Sequence, residues 1–220
     1  AHAAGALVVM DNTWASPLFF KPFAHGVDLS IQAGTKYLAG HSDLLIGTVT
    51  ATREAWPLLR DATRQLGQGA GPDDMFLTLR GMRTLAVRLA HHQASGIKVA
   101  EWLKGRPEVT RVIHPALPGD PGHAIWKRDF RGASGLFAFE LEPLSRQQLA
   151  AMLDHMRLFG MGYSWGGFES LLVPAREERL RHRLRWDGKG PLLRVHIGLE
   201  AVDDLIADLA DGLDRLHAAA

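Results

Sequence analysis

One lysine follows a glycine and a threonine in the run Ile31-Gln32-Ala33-Gly34-Thr35-Lys36-Tyr37-Leu38-Ala39-Gly40-His41-Ser42-Asp43. A lysine among small residues and hydroxyls can carry a carbonyl cofactor as a Schiff base, given room for a planar ring and a lowered pKa. Gly34 leaves such room, and the Thr35 hydroxyl can reach a phosphate together with exposed backbone N–H groups. The run is not a P-loop, because its glycine spacing and the pattern after it differ. Taken alone, it reads more simply as a lysine in a surface loop.

Three further places have chemical potential, each with a plainer reading. Asp11 ends an apolar run, where a carboxylate can keep a pyridine nitrogen protonated and the ring electron-poor; equally, Asp11-Asn12 can just open a turn. Arg194 alternates with Leu193 and Val195, so it projects from the opposite face of a strand. There its guanidinium can grip a carboxylate bidentately, or form a structural ion pair. Ser164 and Trp165 lie in a glycine-flanked loop, where the indole can wall a pocket or pack between domains. None of the 11 histidines has zincin-like spacing, so no metal site is expected. No Gly-x-Ser-x-Gly elbow supports a serine hydrolase.

The elements around these residues follow from periodicity. Residues 7–10 form a continuous apolar run, suited to a strand covered on both faces. Residues 27–32 alternate apolar and polar, which predicts a strand ending just before Gly34-Thr35-Lys36. In open parallel sheets ligands gather at carboxyl ends of strands, so Asp11 and Lys36 are expected to share a crevice. A strand is predicted over 44–51, with Gly47 allowing close approach, and a helix over 54–66. Pro72-Asp73-Asp74 starts another helix. Met75, Leu79, Met82, Leu85 and Leu89 mark its amphipathic stripe, which continues to Leu103 with Gly81 and Gly96 as weak points. Beyond Pro107, strands are predicted at 109–112, 135–141, 171–173 and 192–198. Helices are predicted at 146–154, capped by Ser145, and along Val202, Leu205, Ile206, Leu209, Leu213 and Leu216. The arginine-rich run 176–185 reads as a solvated face.

Composition narrows the function classes. The 220 residues are 46% hydrophobic and 22% charged, as in ordinary globular proteins. A formal charge of +1 gives no support to general polyanion binding. The absence of cysteine excludes disulfides, thiolate metal sites and a cysteine nucleophile. No apolar run reaches the roughly 18 residues of a membrane span and no signal-peptide pattern opens the chain, so a cytoplasmic setting is expected. The opening Ala1-His2-Ala3-Ala4-Gly5, running at once into a strand that needs flanking strands, reads as the C-terminal portion of a longer protein.

Taken together, the motifs resemble the Cys/Met-metabolism pyridoxal-phosphate enzymes. Asp11-Asn12-Thr13-Trp14 and the run 30–43 carry the resemblance, and other segments follow in order. These are Arg80-Gly81-Met82-Arg83-Thr84-Leu85, His114-Pro115-Ala116-Leu117-Pro118, Ser164-Trp165-Gly166-Gly167-Phe168-Glu169-Ser170 and Arg194-Val195-His196-Ile197-Gly198-Leu199-Glu200. Ser164-Trp165 resembles the cystathionine β-lyase branch, as do Trp14 and Gln32; the γ-synthase and γ-lyase branches usually have leucine after that serine.

The resemblance implies a fold type I, aminotransferase-type α/β architecture. Residues 1–82 would be the end of a large, mostly parallel-sheet domain, and 83–220 a linking helix and small C-terminal domain. It implies pyridoxal 5'-phosphate as cofactor, with Lys36 catalytic and joined to it, Asp11 on the pyridine nitrogen and Thr35 on the phosphate. Arg194 would bind the substrate α-carboxylate with Ser164 and Trp165 assisting. The implied reaction is β-elimination of cystathionine to homocysteine, pyruvate and ammonia, by a homodimer or homotetramer. The alternatives are a γ-synthase or γ-lyase, or a non-catalytic fragment. Two departures stand out: Ala33 replaces a serine that many members use for the phosphate, and the family's upstream half-site is not in this chain.

Overall fold

The structure is a computed structural model that describes residues 1–175 and 187–218. The solvated face read at 176–185 lies outside the described residues. The chain divides into two compact units, Ala1–Leu89 with Asp129–Ala133, and Ala90–Arg128 with Ser134–Ala220.

The first unit holds a three-stranded sheet of β1 (Val9–Asp11), β2 (Leu29–Ala33) and β3 (Gly47–Ala51), in the order β1-β2-β3. β1 and β2 are parallel, and β3 is antiparallel to β2. Asp11 stands opposite Ile31, which stands opposite Val49, so all three point to one face. The expectation that the first strand is covered on both faces fails among the described residues. Leu7, Val9, Ile31 and Val49 are all exposed. The short helix α1 (Ser16–Phe19) follows β1, and α2 (Trp56–Gln65) follows β3.

α3 (Pro72–Met82) starts as its sequence dictates, with Gly71 at the N-cap, Pro72 in the first turn and Asp73 and Asp74 near the positive end of the dipole. Its apolar stripe is not its packed face: Met75, Leu79 and Met82 are exposed, whereas Thr78 and Gly81 are buried. Gly81 lets the helix press on the backbone, since a Cβ there would collide with the carbonyl oxygens of Leu38 and Ala39. It marks a close approach rather than a weak point. The helical break falls at Arg83 and Thr84, before α4 (Leu85–Lys104). There the Thr84 hydroxyl donates to Gly81 O at 3.1 Å, and Arg88 N donates to Thr84 O at 3.0 Å. Thr84 thus closes one helix and opens the next. Leu85 and Leu89 continue the stripe and are buried.

The second unit contains the later part of α4 and an antiparallel sheet of β4 (Val109–Ile113), β5 (Leu136–Leu141), β6 (Leu171–Pro174) and β7 (Leu192–His196). The strand order is β4-β5-β7-β6. Helix α5 (His123–Asp129), absent from the sequence reading, follows the His114–Pro118 turn region. α6 (Arg146–Leu153) carries a full capping box: Gln148 N donates to the Ser145 hydroxyl at 3.2 Å, and Ser145 N to Gln148 Oε1 at 2.9 Å. α7 (Val202–Ala218) buries Leu205, Leu209 and Leu213 completely, each worth ~1.5–3 kcal/mol relative to exposure. Leu193 and Val195 of β7 meet Phe139 of β5 and Leu103 of α4 in the same core. Among the described residues no helix is long and apolar enough to cross a membrane.

Candidate active site

Asp11 and Lys36 come from neighbouring strands that run the same way, so their carboxyl ends lie side by side. Backbone and side-chain bonds then stitch the two ends together. Asn12 N donates to Ile31 O at 2.8 Å, and Ala33 N donates to the Thr13 hydroxyl at 2.9 Å. Thr13 N in turn donates to Asp11 Oδ1 at 2.8 Å. This is the side-chain turn that the plainer reading of Asp11 anticipates, yet it occupies only one carboxylate oxygen. Asp11 is exposed, and Oδ2 has no hydrogen bond among the described residues.

The turn is held from inside by Asn12, which is 1% exposed and donates through Nδ2 to Ser16 O at 3.1 Å and Phe20 O at 3.2 Å. Trp14, next along, meets Phe130 edge-on with ring centroids 5.7 Å apart. Phe130 sits in the segment Asp129–Ala133, which belongs to the same unit.

After β2 the chain folds tightly around Lys36. Lys36 N donates to Ala33 O at 3.0 Å, Ala39 N to Gly34 O at 2.9 Å, and Gly40 N to Lys36 O at 2.8 Å. Gly40 has φ 73°, the left-handed region that a side chain disfavours. The space left by Gly34 is filled by protein rather than kept for a ring: a Cβ there would sit 2.7 Å from Ile46 Cγ2. The Thr35 hydroxyl accepts from Ile46 N at 2.9 Å and donates to Ile46 O at 3.3 Å. Thr35 thus fastens the lysine turn to the entry of β3, and its proton points at a long-range carbonyl acceptor. The Lys36 side chain is half-buried.

In the second unit, alternate residues of β7 and its extension grip the loop that carries Ser164 and Trp165. Arg194 Nη2 donates to Tyr163 O at 2.8 Å and Gly162 O at 3.3 Å. The buried His196 Nε2 accepts from Gly166 N at 3.1 Å. Gly198 N donates to the Ser170 hydroxyl at 2.8 Å, while Glu200 accepts from Ser170 N at 2.7 Å and from its hydroxyl at 2.8 Å. Asp208 of α7, 1% exposed, fixes the loop's approach by accepting from Arg157 N at 3.0 Å and Leu158 N at 2.7 Å. The loop leaves Ser164 exposed and Trp165 half-buried.

Arg194 keeps Nε and Nη1 free of partners among the described residues. Burial holds its pKa below the ordinary arginine value, with the Tyr163 side opposing. A guanidinium so placed remains charged and can still bind an anion.

The sequence-identified residues therefore form two groups: Asp11, Thr35 and Lys36 in the first unit, and Ser164, Trp165 and Arg194 in the second. Thr13, Ile46, Asp208 and the gripping roles of His196 and Glu200 were not anticipated. Only the β7 set left a signal, the every-second-residue spacing of Arg194, His196, Gly198 and Glu200.

The model of the Cys/Met metabolism PLP-dependent enzyme family matches residues 1–214. The chain belongs to this family. A cystathionine beta-lyase of Salmonella typhimurium is 52% identical over 96% of this chain and 54% of its own length. One of Escherichia coli is 51% identical with the same coverage of 96% and 54%. The chain thus spans about half the length of the curated relatives it matches. The solved cystathionine gamma synthase of Xanthomonas oryzae, in complex with aminoacrylate and cysteine, superposes with a TM-score of 0.90 at 39% identity, covering 100% of this chain and 58% of that one. With this family comes the α/β PLP-enzyme fold; here its sheets are mixed in the first unit and antiparallel in the second.

Proposed function

We propose that the chain is the lysine-bearing portion of a pyridoxal-phosphate-dependent carbon–sulfur lyase that converts cystathionine and water to homocysteine, pyruvate and ammonia. The observation that carries this reading is the pair of parallel strand ends, with an Asp11 carboxylate oxygen unbonded among the described residues beside the folded turn of Lys36. The relatives named cystathionine beta-lyase point the same way. On this reading residues 1–82 are the end of the cofactor-binding large domain, and 83–220 are the linking helix and small domain. The full-length protein is a cytoplasmic homodimer or homotetramer.

The residues fit the cofactor. Asp11 Oδ2 supplies the negative charge that a pyridinium nitrogen needs, and its other oxygen is locked by Thr13 N, which fixes the direction of the carboxylate. Bound pyridoxal phosphate supplies an electron sink for the carbon that bears the substrate's amino group.

This chain's own groups do the rest. The Lys36 amine would hold the cofactor, and as a free amine it would take the proton from the substrate Cα. The same amine then delivers a proton toward the departing sulfur. Arg194 offers the α-carboxylate its positive charge and an N–H left over from the loop backbone, which takes Nη2. Ser164 and Trp165 orient the substrate. Thr35 would contribute to phosphate binding by turning its hydroxyl from Ile46 O.

A second reading, γ-elimination or γ-replacement, is favoured by the 0.90 TM-score to the solved γ-synthase. Product analysis separates the two. Full-length protein given cystathionine should release pyruvate with homocysteine; accumulation of 2-oxobutyrate with cysteine would move the assignment to the γ branch. Neither keto acid, with cofactor bound, would remove the lyase reading.

A further inference from the structure

Arg88 is a buried cation with no carboxylate beside it. It is 6% exposed, sits in the first turn of α4, and forms no ion pair among the described residues. Its donors go instead to the places where three pieces of chain meet. Nε donates to the Thr84 hydroxyl at 3.1 Å, and Nη2 to Gly81 O at 2.8 Å and Leu38 O at 3.4 Å. Nη1 has no partner among the described residues and faces Gly40, where a Cβ would collide with it. Burial pulls its pKa down, yet an arginine remains protonated.

A charge so placed is expensive to bury unless something local offsets it. Carbonyl oxygens do so here, Gly81 O being one of the last carbonyls of α3, at the negative end of its dipole. The remaining contacts are to the Lys36 turn. Leu38 O takes the 3.4 Å bond, and Gly40, whose N–H holds Lys36 O, forms the wall against which the guanidinium lies. Gly81 presses on the same stretch, at Leu38 and Ala39. The turn that carries Lys36 is therefore clamped from the α3–α4 junction, with Arg88 as the pin.

We propose that Arg88 is a positioning residue for Lys36: through Leu38 O and the glycine wall at Gly40 it fixes the turn from which the lysine reaches the cofactor. This rests on Lys36 being the cofactor-bearing lysine. Lysine cannot replace Arg88, because one ammonium on a flexible stem does not reach Thr84, Gly81 and Leu38 in a fixed fork. Gly40→Ala disturbs the same contact from the other side while leaving the charge in place.

The test compares Arg88→Met, Arg88→Lys and Gly40→Ala with Leu89→Ala in the full-length protein loaded with pyridoxal phosphate. Leu89 is a fully buried neighbour in the same turn of α4, so its variant loses stability while the Arg88 hydrogen bonds and the Gly40 wall keep their groups. Visible circular dichroism of the bound cofactor reports how the ring is held, independently of turnover.

The expected result is a loss of visible dichroism in all three Arg88 and Gly40 variants, with kcat down by about 10- to 100-fold and KM little changed. Leu89→Ala should lower the melting temperature and keep the dichroism. If Arg88→Met yields no soluble holoenzyme, Gly40→Ala and Arg88→Lys decide by the same reading. Dichroism and kcat retained in the Arg88 and Gly40 variants, or lost equally in Leu89→Ala, overturn the proposal. Lys36→Ala keeps the two claims apart. If it retains the cofactor's visible band, the assignment of Lys36 fails; if it loses the band while the Arg88 variants behave as Leu89→Ala does, only the role of Arg88 fails.

Discussion

The Thr13 hydroxyl accepts the Ala33 N–H at 2.9 Å, and through that bond the Asp11 turn is tied to the strand end that leads to Lys36. Thr13 is buried, and its own N–H is on Asp11 Oδ1. A single threonine thus sets the carboxylate and the lysine turn relative to each other. Removing its hydroxyl leaves a backbone donor without an acceptor.

Thr13→Val should therefore destabilise the fold by about 1–3 kcal/mol, the usual cost of an orphaned buried donor. It should also weaken cofactor binding, because the Asp11 end is released. Thr13→Ser should keep most of both. Urea unfolding and cofactor titration of the two variants measure this; equal behaviour of serine and valine would show that the hydroxyl does not matter.

Gly81 and Gly47 should respond unequally to alanine. In a free helix, alanine is better than glycine by about 1 kcal/mol. At Gly81 its Cβ would collide with two backbone carbonyls, an overpacking that costs about 1–3 kcal/mol or more and reverses the sign. At Gly47 a Cβ meets nothing within 4 Å, so Gly47→Ala should stay within about 0.5 kcal/mol. Melting temperatures of the two variants test the contrast.

His114 should give the fold a pH-dependent stability. It is 1% exposed, and Nδ1 accepts from Ala116 N at 3.2 Å, which places the ring proton on Nε2. Burial lowers its pKa from 6.5, against smaller opposing effects of its backbone and Asp120. A depressed folded-state pKa means that the unfolded chain binds the proton first as pH drops. The stability from neutral His114 is thus fully present above 6.5 and is lost as pH falls from there toward the depressed value. Urea midpoints should decline over this range, and His114→Gln should decline less steeply. Parallel slopes in the two proteins would remove His114 as the source.

The second unit was the more legible part of the fold. Leu193, Val195 and Ile197, and the three-and-four spacing of the α7 leucines, specify buried faces that the structure keeps. Ser145 announced α6 by a local rule, and Gln148 completes its cap in the structure. α5 was missed because His123-Ala124-Ile125-Trp126-Lys127-Arg128-Asp129 has neither a side-chain cap signal nor an apolar period, and none of its residues is buried. Amphipathy placed α3 but not its packed face, since pattern reports which side chains are apolar and not what covers them. For the same reason Gly47 was assigned the close approach that Gly34 and Gly81 provide.

At the candidate site, residue types pointed to Asp11, Lys36 and Arg194 only weakly one by one, and the family resemblance joined them. What no spacing displayed was the side-chain-to-backbone bonding between distant segments: Thr35 with Ile46, Thr13 with Ala33, Arg88 with Leu38. Such bonds depend on which loops the fold brings side by side, and threonine and arginine are too common to mark them.

The central claim is that Lys36 is the group through which the full-length protein holds its cofactor and moves the substrate proton. Its most direct measurement is pyruvate release from cystathionine by Lys36→Ala, with the visible absorption of added pyridoxal phosphate recorded on the same samples. The expected result is loss of both the protein-bound absorption band and turnover. Turnover near the wild-type rate in Lys36→Ala would contradict the assignment.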